Sequence, residues 1–136
     1  MLIDTSGLLC LHHRSEPLHD EACSAYGSAS RRLIHNYVIA EFVALASARG
    51  LRRTASLAFA SDLLETPDVE LFWVDERLHR DAMSLLQRRR DKSYSLCDAV
   101  SFVAMHRAGI RDALSTDRHF EQEGFRRLLK PPALPK

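Results

Sequence analysis

Residues 2–9 read Leu2-Ile3-Asp4-Thr5-Ser6-Gly7-Leu8-Leu9. Two apolar residues stop at an acid and three small residues, and apolar spacing then resumes through Cys10 and Leu11. That is the pattern of a buried strand turning directly into a helix. An acid placed straight after a buried strand loses hydration unless something pairs with it, so Asp4 needs a partner.

Outward from this unit the alternation repeats. Glu16-Pro17 predicts a helix start at proline's preferred first position, running through Ala22, Cys23 and Tyr26 until Gly27-Ser28 weaken it. Leu33-Ile34 and Tyr37-Val38 frame a second strand, and residues 40–48 predict a helix that stops at Gly50, with Glu41 in its first turns. Helical spacing recurs over 52–65 and closes at the turn Thr66-Pro67-Asp68. Val69-Glu70-Leu71-Phe72-Trp73-Val74 reads as a third strand with Phe72 and Trp73 in the core. Asp75 then caps a helix carrying Leu78, Ala82, Leu85 and Leu86, which ends near Arg88-Arg89-Arg90. Ser95 begins the most apolar helix, over 96–108, and Gly109 terminates it; Ala113-Leu114-Ser115 forms a last inner strand with Asp117 just past it. Short strands alternating with helices of roughly 10–15 residues predict the α/β class, a short parallel sheet flanked by helices on both faces. The expected domain covers 1–130, and Pro131, Pro132 and Pro135 mark a Pro-rich tail over 131–136.

A length of 136 residues suits one domain, and 46% hydrophobic with 27% charged residues suits a packed core. The 19 Lys and Arg nearly cancel the 18 Asp and Glu, so a net charge of +1 exerts no global pull on polyanions or membranes, and any nucleic-acid contact must be local. Of the basic residues 16 are Arg, whose planar fork suits phosphate. Cys10, Cys23 and Cys97 are an odd set without a Cys-x-x-Cys pair and read as reduced packing residues. Met1-Leu2-Ile3-Asp4 lacks the basic lead and apolar run of a signal peptide, and no apolar stretch approaches the ~20 residues of a membrane span. The expectation is a cytoplasmic protein with no membrane partner.

In an open α/β sheet, ligands bind beyond the carboxyl ends of the strands. Asp4, Glu41, Asp98 and Asp117 all fall at that edge. Acids gathered there repel one another unless a cation neutralises them, and oxygen-only ligation selects Mg²⁺ or Mn²⁺. Such an ion beside a phosphodiester supports its hydrolysis. Ser6 and Ser115 carry hydroxyls able to hold a carboxylate or a metal-bound water. Each acid also has a plainer reading. Ser95 and Asp98 fit a capping box, Asp117 fits an N-cap, and Glu41 fits a solvated helix position. Arg88, Arg89, Arg90 and Lys92 lead toward Asp98 and offer phosphates a path, although charge runs at helix ends also simply complement the helix dipole. The seven histidines lack zinc spacing, and only His119, beside Asp117, is placed to matter.

The ordered set Leu2-Ile3-Asp4-Thr5-Ser6-Gly7-Leu8-Leu9, Ala40-Glu41-Phe42, Leu96-Cys97-Asp98-Ala99-Val100-Ser101 and Leu114-Ser115-Thr116-Asp117-Arg118-His119-Phe120 resembles the PIN domain, and within it the VapC-type toxins of prokaryotic toxin–antitoxin pairs. The resemblance implies a metal-dependent ribonuclease toxin in which Asp4, Glu41, Asp98 and Asp117 bind Mg²⁺ or Mn²⁺ and carry catalysis, with Ser6 and Ser115 supporting. It further implies a homodimer, an RNA substrate and a small cognate antitoxin, laid over the helices around Glu41 and over 52–65. The rival from another class is a non-catalytic PIN-like protein-interaction module whose acids are caps. A phosphatase with an aspartyl nucleophile after strand one usually carries a second Asp two residues later, where this chain has Ser6.

Overall fold

The computed structural model describes residues 1–132. In it β1 (Leu2–Ile3) runs into α1 (Thr5–His12) with Asp4 alone between them. Then come α2 (His19–Ser28), β2 (Leu33–His35), α3 (Asn36–Ala48), α4 (Arg53–Glu65), β3 (Glu70–Phe72) and α5 (Glu76–Arg88). The chain continues with α6 (Leu96–Ala108), β4 (Asp112–Leu114), the short α7 (His119–Gln122) and β5 (Arg126–Arg127). All five strands pair in parallel, in the order β3-β2-β1-β4-β5. The predicted α/β class is the observed one. The chain leaves β1 toward β2 but leaves β4 toward β5, so the crevice beyond β1 and β4 is the topological switch point of the sheet.

Alternation along the strands divides the core in two. Ile3, Ile34 and Leu114 pack with Leu8, Val38, Phe42 and Leu63 on one face, while Leu2, Leu33 and Ala113 pack with Leu78, Val100, Phe102 and Met105 on the other. The inner strands, whose successive side chains find apolar partners on either side, are buried on both faces and are mostly apolar, whereas the outer β3 and β5 carry Glu70, Arg126 and Arg127. No helix among the described residues is long and apolar enough to cross a membrane.

Backbone contact ties α1 to β4. A Cβ added at Gly7 would stand 2.1 Å from the carbonyl oxygen of Leu114 and 2.9 Å from its carbon. Only a residue without a side chain fits there. The Asp4 amide donates to that same carbonyl at 3.1 Å. Beneath this contact His35 is fully buried; its Nδ1 accepts the Val38 amide at 3.4 Å, capping α3, and its Nε2 donates to Ser101 Oγ at 2.8 Å.

Several boundaries differ from the sequence reading. Tyr37 and Val38 belong to the first turn of α3 rather than to a strand, because the His35 side chain caps the helix four residues earlier than residue 40. Pro17 lies in a turn closed by the His19 amide on the Glu16 carbonyl, and α2 starts only at His19. β3 ends at Phe72. Trp73, expected in the core, is 66% exposed, because it lies past the last ladder pair, His35 with Phe72, and because the Asn36 side chain takes the next amide, that of Val74. Phe72 itself is only partly buried. β4 ends at Leu114, leaving Ser115 beyond the strand, and β5 is an edge strand that the sequence reading lacked. Cys10 and Cys97 are buried as expected, whereas Cys23 is exposed; all three are free thiols. Pro131 and Pro132 follow β5 outside any regular element, and Pro135 lies outside the described residues.

Three outcomes follow for stability. Gly7→Ala should cost about 3 kcal/mol or more, lowering the melting temperature by at least about 10 °C in a calorimetric scan. Gly27→Ala, which meets nothing within 4 Å, should raise it slightly, since alanine is the better helix former by ~0.5–1 kcal/mol. Burial pushes the His35 pKa down to about 3 from 6.5. Between those values the unfolded chain binds the proton and the folded one does not. Stability is therefore present above pH 6.5 and falls as pH drops toward 3. That is the contribution of His35 alone, so it is read against the parent: His35→Asn, with no proton to take up, should gain in melting temperature relative to the parent as pH is lowered from about 7 to about 4.

Candidate active site

Two strand ends and the N-terminal turns of two helices meet at the switch point, and each supplies an acid. Asp4 follows β1, Asp98 lies in the first turn of α6, Asp117 follows β4, and Glu41 sits in the second turn of α3. All four line one cleft of about 390 Å³, together with Thr5, Ser6, Ser93, Ser95, Thr116 and His119. The structure thus brings the four predicted acids together.

Asp4 lies deepest, with 5% of its surface exposed. A chain of hydroxyls supports it. Ser115 Oγ donates to Asp4 Oδ2 at 2.9 Å, and Ser6 Oγ, 3.2 Å from Ser115 Oγ, donates a hydrogen bond to that oxygen, since the Ser115 proton is already engaged by Asp4. In return the two oxygens accept backbone amides at 3.0 Å, Ser6 from Thr116 and Ser115 from Asp117. Of the two predicted supports, Ser115 holds Asp4 directly; Ser6, 3.5 Å from Asp4 Oδ2, acts mainly on the loop beyond β4.

The bonding does not offset the electrostatics. Burial and then the neighbouring Asp98 carboxylate push the Asp4 pKa up to about 7, against the opposing pull of the Ser115 hydrogen bond. Burial, followed by the charges of Glu41, Asp4 and Asp98, also pushes the Cys97 thiol well up. A buried carboxylate whose pKa is pushed up by burial and by a neighbouring carboxylate marks a site that a cation would stabilise.

Asp98 and Asp117 stand across the cleft. The capping box anticipated for α6 is present, with Asp98 Oδ2 accepting the Ser95 amide at 3.1 Å and Ser95 Oγ accepting the Asp98 amide at 3.0 Å. The structural role orients the acid rather than consuming it, because Asp98 still faces the cleft. Asp117 Oδ1 accepts the His119 amide at 2.9 Å, a local turn in place of a helix cap.

His119 joins the site. Its Nδ1 lies 2.9 Å from Asp98 Oδ2 and 3.4 Å from Asp117 Oδ2, and its Nε2 is 3.2 Å from Ser93 Oγ. Nδ1 donates to the Asp98 carboxylate in the tautomer that carries its proton there, and only the other tautomer could offer that nitrogen to a cation. One donor atom each from Asp98, Asp117 and His119 falls within 4.8 Å of the others, a spacing that a divalent cation could bridge. Sequence reading marked His119 only as a neighbour of Asp117; the two-residue spacing across the start of α7 was the available signal. Ser93 and the ring of Tyr94, 5.2 Å from His119, had none.

The predicted basic path is divided. Arg88, Arg90 and Lys92 are exposed, but Arg89 is engaged with Glu123 at 3.1 Å, and Glu123 also accepts the Tyr94 hydroxyl at 3.0 Å. None of the four lines the cleft itself, although Ser93, next to Lys92, does.

Comparison with known proteins agrees with this geometry. The 23S rRNA-specific endonuclease VapC20 of Mycobacterium tuberculosis, in strains CDC 1551 / Oshkosh and ATCC 25618 / H37Rv, is 30% identical over 126 residues, which span 92% of this chain and 95% of the relative. The crystal structure of Mycobacterium tuberculosis VapC20, a sarcin–ricin loop cleaving toxin, superposes with a TM-score of 0.84 at 27% identity, covering 91% of this chain and 95% of that one. The pattern of the PIN domain matches residues 1–125. That match begins ahead of β1, stops just short of β5 and takes in every residue that lines the cleft; the chain belongs to the PIN domain family.

Proposed function

We infer that this chain is a metal-dependent endoribonuclease and the toxin of a toxin–antitoxin pair. The observation that carries this reading is the meeting of four carboxylates at the switch point, with Asp4 buried and its pKa raised to about 7. Relatives named as an rRNA endonuclease and as a sarcin–ricin loop cleaving toxin support the same activity, and make the sarcin–ricin stem-loop of 23S rRNA the substrate we propose.

Asp4, Asp98 and Asp117, with Glu41 at the rim, are the proposed holders of the ion and the catalytic residues; carboxylate oxygens favour Mg²⁺ or Mn²⁺. When bound, such an ion supplies positive charge against the phosphodiester and acidity to a coordinated water. The chain's own residues fix the donors. Ser115 fixes Asp4, the Ser95 amide and His119 fix Asp98, and the His119 amide fixes Asp117. Ready-placed donors lose little order when the substrate arrives. Arg88, Arg90 and Lys92 are the proposed phosphate contacts, with Arg89 holding their loop through Glu123. The antitoxin we propose covers α3 and α4, the second of which exposes Leu57 and Leu64. A homodimer in the cytoplasm completes the reading.

The purified chain, freed of any co-purifying antitoxin, should cut the sarcin–ricin stem-loop with Mg²⁺ or Mn²⁺ and not with EDTA. Asp4→Asn and Asp98→Asn should each lose at least about 100-fold in rate, more than the 10–100-fold typical of residues that merely support ligands. Full activity in Asp4→Asn would sink the assignment. Asp4 also predicts a stability signature. Its folded pKa of about 7 lies above its ordinary 3.8, so the folded state holds the proton longer, and stability falls as pH rises through that window. Asp4→Asn escapes that fall. In chelator, its melting temperature relative to the parent should be higher at pH 8 than at pH 5.5, and Mn²⁺ at pH 8 should raise the parent but not the variant.

A further inference from the structure

β5 lies outside the span matched by the PIN pattern, and its contribution to the site is a single side chain. Arg127 points back across the sheet edge with only 11% of its side chain exposed. Its Nη1 donates to the Thr116 carbonyl at 2.8 Å, and its Nε meets Glu121 Oε1 as an ion pair that is not aligned as a hydrogen bond. Thr116 is the residue between Ser115, which holds Asp4, and Asp117. Its amide is taken by Ser6 from α1. Thr116, which leads the chain to Asp117, is therefore gripped on both sides, by Ser6 on its amide and by Arg127 on its carbonyl. Glu121 draws α7, and so His119, toward the same guanidinium.

We propose that Arg127 is the positioning residue of the cleft, setting the Thr116–Asp117 peptide and thereby the placement of the Asp117 carboxylate and His119. A guanidinium suits this task because its fixed planar fork can engage a carbonyl and a carboxylate together, which an ammonium cannot do at the same spacing. The neighbouring Arg126 is a natural control. It makes a bidentate pair with Asp112 on the sheet edge, away from the loop beyond β4. The competing role for Arg127 is direct contact with RNA, since it also borders a surface cavity of about 720 Å³ with Arg111, Arg126 and Lys130. The proposal rests on the nuclease reading for its kinetic consequence but not for its structural one.

The test compares Arg127→Met, Arg127→Lys and Arg126→Met with the parent chain, using Mn²⁺ calorimetry, cleavage of the sarcin–ricin stem-loop and amide hydrogen exchange. Arg127→Met should weaken Mn²⁺ binding and lower kcat by at least about 10-fold, with KM changed less than about 2-fold, as loss of a ligand-orienting contact does. Exchange at residues 116–119 should rise while the amides of α5 and α6 stay protected. Arg127→Lys should recover part of each loss, and Arg126→Met should match the parent in all three. Unchanged exchange at 116–119 in Arg127→Met overturns the proposal, as does a rise in KM at constant kcat, which would make Arg127 an RNA contact. Should the parent itself neither bind metal nor cut RNA, the nuclease reading fails, and the exchange comparison still decides whether Arg127 holds the loop. If Arg127→Met does not fold, Arg127→Lys and Glu121→Gln give the same exchange comparison with one contact removed at a time.

Discussion

The contact of Gly7 with the Leu114 carbonyl is the constraint on which the cleft depends. It lets α1 start directly against the end of β4, so the loops that follow two neighbouring strands share hydrogen bonds instead of merely lying near each other. Ser6 reaches Thr116, Ser115 reaches Asp4, and the Asp4 amide closes on Leu114. A methyl group at residue 7 would push these loops apart and disconnect residues more than a hundred positions distant in the chain. The electrostatic character of Asp4 follows from the same closeness, because burial is the leading cause of its shifted pKa.

The cleft shows how a residue can hold a fold and serve a site at once. Asp98 completes a capping box and still presents a carboxylate to its neighbours; Asp117 secures the next turn through one oxygen and faces His119 with the other. Plain structural readings of these acids and functional ones are not rivals here. Local bonds that any helix start would welcome also remove the freedom a ligand would otherwise have to restrict.

Legibility in the sequence tracked how local each determinant is. α6 was readable to the residue because Ser95 and Asp98 mark its start and Gly109, at φ 67°, its end. Asp4, Asp117 and Asp98 were readable because the first two stand just past a strand and the third lies in the first turn of a helix; Glu41, in the second turn of α3, was readable only as one of the ordered set. The start of α3 was not, since it depends on His35 as a cap, a residue type with no such reputation, and on the burial that keeps that ring neutral. Trp73 misled for a related reason: strand composition speaks for burial, but where the ladder ends is set by the partner strand and by Asn36. β5 had no apolar signal at all. Two arginines form it because β4 offers an open edge and Asp112 and Glu121 receive their charges.

Trp73 has a spectroscopic consequence. It is the single tryptophan of the chain, and two thirds of its surface already meets water in the folded state. Its emission will therefore lie close to that of the unfolded chain, so indole fluorescence is a blind reporter of folding here and a sensitive one for whatever comes to cover the end of β3. Backbone circular dichroism, dominated by the helices, is the optical signal that follows the fold itself.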